Sequence, residues 1–387
     1  MKNNRTFLDK LLDGAEVEWK PLKKVCNFIS TGKLNANAMD ENGIYPFKIN
    51  NYAFDMEAIL ISGNGSQVGH LNYFKGKFNA YQRTYVIGEF DNNTLVMYLY
   101  HYLNFKLRDY ITINSKKGSV PYITLPMLEK FEIPIPPLSV QTEIVRILDA
   151  LTALTSELTS ELTSELTLRR KQYEYYREKL LSFDSLEQLN MGGAKKKLSD
   201  VVNIYLGLTY TPTYVENGVK FISAQNTSND FLDLSNTKFI SREEFEKSTS
   251  NAKPKRGDIL FTRVGSNLGH PVIVDTDEDL CIFVSLGFLR VKDKNILNSY
   301  IKHWMNTNLF WKQVEKNVHG SAKVNLNTGW LKNFEIYIPT LKEQQRIVSI
   351  LDKFETLTNS ITEGLPLAIE QSQKRYEYYR ELLLNFS

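Results

Sequence analysis

Cysteine is nearly absent: Cys26 and Cys281 are the two in 387 residues. That leaves no disulfide framework and no multi-cysteine zinc site. The five histidines are scattered and form no H-E-x-x-H, so no metal chemistry is expected. No run approaches about 18 apolar residues, the length a membrane helix needs. With a mean hydropathy of -0.32 and an opening MKNNRTFLDKLL that has no apolar signal core, the expected location is the cytoplasm. Neither sign of charge dominates. Against 44 acidic residues stand 47 lysines and arginines, a net +3, which only mildly favours a polyanionic partner. With 42% hydrophobic residues, the chain is long enough for two or three folded domains.

Catalytic signatures are missing as well. There is no G-x-x-x-x-G-K-[ST] phosphate loop, and Gly63, Gly65 and Gly69 give only G-x-G-x-x-x-G, short of a dinucleotide fingerprint. An adenine methyltransferase needs Asn or Asp before Pro-Pro and an aromatic after it, but Pro136-Pro137 stands between Ile135 and Leu138. A nuclease-like E-x-K occurs at Glu18-Trp19-Lys20, after Asp13, and reads as a chance match in a region expected to lack a strand core.

What the chain does have is an internal repeat of about 200 residues. FEIPIPPLSVQTEIVRILDALTALTSEL from Phe131 recurs as FEIYIPTLKEQQRIVSILDKFETLTNSI from Phe334, and RRKQYEYYREKLLSF from Arg169 recurs as SQKRYEYYRELLLNF from Ser372. Asp149 to Tyr173 and Asp352 to Tyr376 both span 24 positions, so the copies keep one register. Upstream, Gly65-Ser66-Gln67-Val68-Gly69-His70 corresponds to Gly265-Ser266-Asn267-Leu268-Gly269-His270, and Gly118-Ser119 to Gly320-Ser321. Between these anchors the copies diverge. Short β-like runs at 58–61, 84–87, 258–261 and 271–274, with helical spacing at 95–109 and 298–314, predict a mixed α/β domain twice. The N-terminal Phe7–Leu12 faintly echoes Glu178–Phe183, which makes the order look almost circular.

From Gln141 to about Ser182 the apolar spacing, free of Pro and Gly, predicts one long helix. Its copy starts at Lys342 and should restart near Gly364 and Pro366. Leu154, Leu158, Leu162 and Leu166 recur every four residues and drift about 40° per step, which is not a heptad seam.

The paired Gly-Ser-x-x-Gly-His elements bring Asn64, Ser66, Gln67 and His70, and Arg263, Ser266, Asn267 and His270, beside glycines that let backbone approach a phosphate. Amides and guanidinium can pair with base edges. The same glycine spacing fits a tight hairpin. A second pair of loops adds Lys116 and Lys117 in one copy and His319, Ser321 and Lys323 in the other. The Tyr-Glu-Tyr-Tyr-Arg ends, with Tyr173, Tyr176 and Arg177 and with Tyr376, Tyr379 and Arg380, should meet the same kind of surroundings twice, each other or two copies of a partner.

Taken with the F-E-I-x-I-P runs, Gln141–Asp149, Glu343–Asp352 and the three tandem Thr-Ser-Glu-Leu units of 155–166, the whole chain resembles the DNA-specificity subunit of Type I restriction-modification enzymes. Leu11–Trp19 adds to the likeness with the subgroup carrying four-residue central repeats. The resemblance implies a fold of two mixed α/β target recognition domains separated by a pair of long antiparallel helices, in a pseudo-twofold repeat. The expected parts are an N-terminal extension 1–16, a first recognition domain 17–140, a central helix 141–190, a second recognition domain 191–340 and a C-terminal helix 341–387.

It implies a non-catalytic reader of a split, asymmetric duplex target; individual base contacts do not carry over from the family, and the glycine-loop residues are expected at the DNA from their own chemistry. Two methyltransferase subunits would dock on the helices through the Tyr and Arg residues above and methylate adenine N6, the base being flipped out of the duplex. Restriction subunits would cut. S-adenosylmethionine, ATP and Mg²⁺ would belong to those partners, and this chain would bind no cofactor and no metal. Competing expectations are a fused nuclease-methyltransferase and a scaffold that binds protein.

The Thr-Ser-Glu-Leu units, with Thr155, Leu158, Leu162 and Leu166, read as a spacer ruler. One unit changes a helix by about 6 Å and about 40°, and one base pair advances DNA by about 3.4 Å and about 35°. Rotation argues for one base pair per unit.

Overall fold

A computed structural model describes residues 7–46, 48–114, 121–188, 192–265, 267–317, 325–360 and 363–386. The chain forms two compact units, Met1–Glu161 with Glu370–Ser387, and Leu162–Ile369.

In the first unit, β1 (Glu18–Pro21) pairs antiparallel with β6 (Glu132–Ile135). Between them lies an antiparallel sheet, ordered β2-β5-β3-β4, of β2 (Cys26–Thr31), β3 (Phe54–Ser62), β4 (Leu71–Phe78) and β5 (Thr84–Phe90). The 58–61 run is apolar throughout because β3 is buried on both faces, one residue pointing each way in turn. Ile59 and Ile61 join the core under the helix Val96–Asn114, whereas Ala58 and Leu60 meet Phe78 and Val86 on the other side.

The second unit repeats this plan and adds to it. Here β7 (Ala194–Lys197) pairs with β16 (Glu335–Ile338). A sheet ordered β13-β12-β15-β8 contains β8 (Val202–Leu206), β12 (Ile259–Thr262), β13 (Pro271–Ile273) and β15 (Leu286–Val291). An extra mixed sheet, ordered β14-β10-β11-β9, is built from β9 (Tyr214–Val215), β10 (Val219–Ile222), β11 (Lys238–Ile240) and β14 (Leu280–Ile282). Its Ile222, Leu280 and Ile282 cover the face that Leu260, Val272 and Phe288 turn away from the helices.

The F-E-I-x-I-P motif has a local reason in both units. Its apolar residues make β6 or β16, and Pro136 or Pro339, which cannot donate to a ladder, ends the strand just before a helix. Those helices are Leu138–Leu180, 43 residues and roughly 65 Å, and Leu341–Asn359. Gly364 stands at φ +91, where a Cβ would meet the Thr356 carbonyl at 2.6 Å. The next helix, Leu365–Leu384, carries Pro366 in its first turn, the restart that these two residues predict.

Helix pairing is antiparallel within each unit. In the first, Ile144 and Leu148 share a core with Leu383, Leu384 and Leu8, and Thr152 donates to the Tyr376 hydroxyl further along (3.3 Å). In the second, Tyr173 and Tyr176 stack on Phe354, and Leu181 and Leu186 share a core with Ile347 and Leu351. Both ends of the chain therefore complete the first unit, as the segment after the tyrosines completes the second.

A single glutamine fastens each α/β domain to its long helix. Gln141 accepts from Leu95 N at the start of the helix Val96–Asn114 and donates to the carbonyls of Asn93 and Pro136. Gln344 does the same with Leu297 N, Asn295 and Pro339. His101 and Asp149 (2.8 Å), and His303 and Asp352 (2.7 Å), add a second bond about two turns on. Tyr98 donates to the Pro134 carbonyl, and Tyr300 to that of Tyr337.

Two expectations need correcting. The single helix at 298–314 is two, Asn298–Met305 and Asn308–Asn317, because buried Thr307 turns its hydroxyl onto the Trp304 carbonyl and accepts from Phe310 N. The Glu178 carboxylate also holds Asn308 N at 3.0 Å. Glu18-Trp19-Lys20 does lie on a strand, β1, and its Lys20 and Glu18 pair with each other at 3.0 Å. Cys26 and Cys281 are buried free thiols, and Cys26 donates to the Leu22 carbonyl at 3.2 Å.

Replacing Gln141 or Gln344 by Ala strands one amide and two carbonyls in a dry site, each costing about 1–3 kcal/mol. The expected result is a lower unfolding midpoint for the affected unit by calorimetry. An unchanged transition would mean that water replaces the side chain.

Candidate nucleic-acid interface

The Gly-Ser-x-x-Gly-His elements are the turns joining β3 to β4 and β12 to β13, so the hairpin reading is correct for both. Ser62 N bonds to the His70 carbonyl and Gly69 N to that of Ser62; Thr262 N bonds to His270 and Gly269 N to Thr262 in the same way. Gly69 and Gly269 have φ of +77 and +74, and a Cβ there would press on Ile111 at 3.2 Å or Phe310 at 3.1 Å. Glycine is needed twice over, for the turn and for the close seat against a helix.

The segment after the next loop returns beside this hairpin: Tyr122 bridges to Asn64 and Asn325 to Val264. Of the candidate residues, Lys116, Lys117, Ser266, His319, Ser321 and Lys323 lie outside the described residues.

The others divide by unit. Ser66, Gln67 and His70 are exposed and Asn64 is half-buried. In the second unit Asn267 donates to the Ser228 carbonyl, and His270 Nε2 lies 3.0 Å from that of Asn229. Both pin the 228–230 segment, whose Asp230 accepts from Asn359 (2.6 Å). Arg263 is 9% exposed, and its guanidinium donates to the Val284 carbonyl (3.1 Å). Burial lowers its pKa from the ordinary arginine value.

The tyrosine-rich helix ends also divide. Tyr173, expected at a docking surface, is 7% exposed. Its hydroxyl lies 3.3 Å from His303 Nδ1 and burial holds its phenol far above the ordinary pKa, with a further push from Glu355. Its role is internal packing. Tyr376 is half-buried beside Thr152. Arg177 lies over the Tyr173 ring at 5.3 Å, and Arg380 over Tyr376 at 5.6 Å. Tyr176 and Tyr379 remain exposed, and Tyr175 and Tyr378, each 58% exposed, face out furthest. The sequence held this signal: at 100° per residue, Tyr175 lies about 200° from Tyr173 around the helix.

The leucine stripe drifts as its four-residue period requires. Leu154 and Leu158 are exposed, whereas Leu162 and Leu166 are half-buried, as is Thr155. His303, Asp352 and Glu355 have ligand-type atoms within 4.8 Å of one another. Both histidine nitrogens are engaged, by Tyr173 and by Asp352, and Glu355 holds the Lys302 ammonium at 2.7 Å, so the cluster is an internal bonding network.

A doubled recognition module, seated on helices through paired bonds, defines a class of DNA-reading subunits. The chain belongs to the family described as Type I restriction modification DNA specificity domain, which matches residues 15–168 and 192–371. It is 43% identical, over the full length of both chains, to the putative type I restriction enzyme specificity subunit S.HindORF215P of Haemophilus influenzae. It is 32% identical to the EcoR124I/EcoR124II specificity subunit of Escherichia coli over 98% of this chain and 97% of that one.

Its fold is similar to a chain in a structure on complex assembly and conformational transition of the type I R-M system, at TM-score 0.67, 16% identity and 95% and 97% coverage. It is also similar to the HsdS subunit from Thermoanaerobacter tengcongensis, at TM-score 0.53, 17% identity and 95% coverage of each chain. Its function is DNA target recognition as the non-catalytic specificity component of a type I restriction enzyme. The scaffold alternative does not stand. No described helix is long and apolar enough to cross a membrane.

Tyr173→Ala should lower stability by about 3–5 kcal/mol, as for other buried aromatics, whereas Tyr175→Ala should leave the unfolding midpoint within error. Equal midpoints in thermal melts would contradict the burial assigned to Tyr173.

Proposed function

We propose that this chain reads a split, asymmetric target in double-stranded DNA, the domain at 17–140 reading one half and that at 191–340 the other. It thereby directs adenine N6 methylation by two methyltransferase subunits and ATP-dependent cutting by restriction subunits, in the cytoplasm. S-adenosylmethionine, ATP and Mg²⁺ belong to those partners. The observation that carries this reading is the contrast between duplicated fastening bonds and divergent recognition parts. Gln141 and Gln344 make the same three bonds, yet the second unit has an extra sheet and Arg263 where the first has Gly63. Exchanging residues 17–140 for the same part of a related subunit should change one half of the methylated motif in methylome sequencing. A change in both halves would refute modular reading.

The repeat 155–166 acts as the ruler in this proposal. Deleting Thr159–Leu162 should shorten the unread spacer by one base pair with both half-sites kept. An unaltered spacer would remove the ruler role.

The methyltransferase subunits dock on the exposed tyrosines. These are Tyr176 and Tyr379, with Tyr175 and Tyr378 the most exposed of the four; aromatic side chains of this kind anchor interfaces. Alanine at Tyr175, Tyr176, Tyr378 and Tyr379 together should abolish assembly with two methyltransferase subunits on gel filtration. A full assembly would exclude docking there.

A further inference from the structure

In the first unit a cleft of about 640 Å³ opens between the β3–β4 hairpin, the end of the β4–β5 connection and the segment at Tyr122. It is walled by Gly63 and Asn64 on one side, by Gln82 and Arg83 on another and by Tyr122 on a third. Among the described residues no carboxylate lines it. The clefts at Asp230, Asp275 and Glu355, and at Glu16 and Glu18, would repel a phosphate backbone, whereas this one offers a guanidinium, two amides and an aromatic ring.

Two features show that the cleft is a built site. Gly63 keeps it open: its N–H bonds to the Arg83 carbonyl at 2.7 Å, and a Cβ there would lie 2.5 Å from that oxygen and 3.0 Å from the Tyr85 ring. Arg83 itself has φ +66, a left-handed conformation that glycine or asparagine adopts far more readily. An exposed arginine in a disfavoured conformation at the rim of a polar cleft points to use of its side chain.

The second unit has the same backbone frame with a different occupant. Arg263 N bonds to the Ser285 carbonyl as Gly63 N does to Arg83, and Leu326 N bonds to Arg263 as Ile123 N does to Gly63. Position 63 therefore corresponds to 263, and Gln82 to Val284. In the second unit the Arg263 guanidinium lies in the space that Gly63 leaves free, bonded to the Val284 carbonyl.

The geometry points to this cleft as the base-reading site of the first half-target, with Arg83, Gln82 and Asn64 as its specificity-determining residues. Arg83 presents paired donors to the O6 and N7 of a guanine, and the two amides suit the N6 and N7 of adenine. The inference rests on the chain being a reader of a split target and names where one half of the reading occurs.

The test uses the full chain assembled with its methyltransferase subunits, and compares methylated motifs for the wild type and for Arg83→Ala, Gln82→Ala and Asn64→Ala. Each substitution should relax one position of the same half-site, with a roughly 5- to 150-fold loss of discrimination there. The other half-site and the spacer should stay unchanged, which also reports a folded subunit. Arg83→Lys keeps the charge without the fork and should relax the same guanine, giving a second variant that disturbs the turn little. A wild-type complex that methylates no split motif overturns the reading of the whole chain. A wild-type motif that survives all four substitutions, or a uniform loss of methylation over all sequences with Arg83→Lys restoring it, overturns the cleft alone, the latter by making Arg83 a phosphate contact.

Discussion

Gln141 and Gln344 each spend all of a side-chain amide on main-chain groups that would otherwise be stranded. The carbonyl oxygen caps the first helix of the recognition domain, and the amide nitrogen binds the turn before that helix and the proline that opens the long helix. A single residue thereby fixes three backbone segments in one dry site, where leaving any of them unpaired is costly. The orientation of each recognition domain on its helix follows from this joint. His101 with Asp149, and His303 with Asp352, add a bond about two turns further along each long helix.

Because the joint is made from main-chain groups, it is indifferent to the sequence of the domain it holds. The helix Val96–Asn114 is continuous while its counterpart is broken at Thr307, and among the described residues the second unit carries four strands without a counterpart in the first. Both still present a Leu N–H and an Asn carbonyl to a glutamine. The constraint is local and chemical, and it leaves the rest of each domain free to vary. Gly63 and Arg263, at one position of one frame, show how far that variation goes.

The repeat, the helix ends and the strand-proline-helix junction were legible in the sequence because each depends on contiguous residues with a fixed period or a fixed dihedral angle. Gly364 and Pro366 announced their own break, and the four-residue leucine period foretold its drift from exposed Leu154 to half-buried Leu166. The glutamine joint was present in both copied segments but carried no signal of its own, since a glutamine on an amphipathic helix usually faces water and its three partners lie elsewhere in the chain.

By itself the sequence determined that this protein is a duplicated α/β module on long helices, without catalytic signatures, of the DNA-specificity family. It could do so because repetition and local geometry are written along one dimension. Which side chains are available to a ligand was decided only by the tertiary structure. Tyr173 and Tyr175 are two residues apart in one motif, and one is sealed against His303 and Phe354 while the other faces out. Arg263 looked like a DNA contact and is buried on the Val284 carbonyl, whereas Arg83, which no motif marked, stands at the rim of a cleft. Exposure depends on what packs against a side chain from distant parts of the chain, and no local period encodes that.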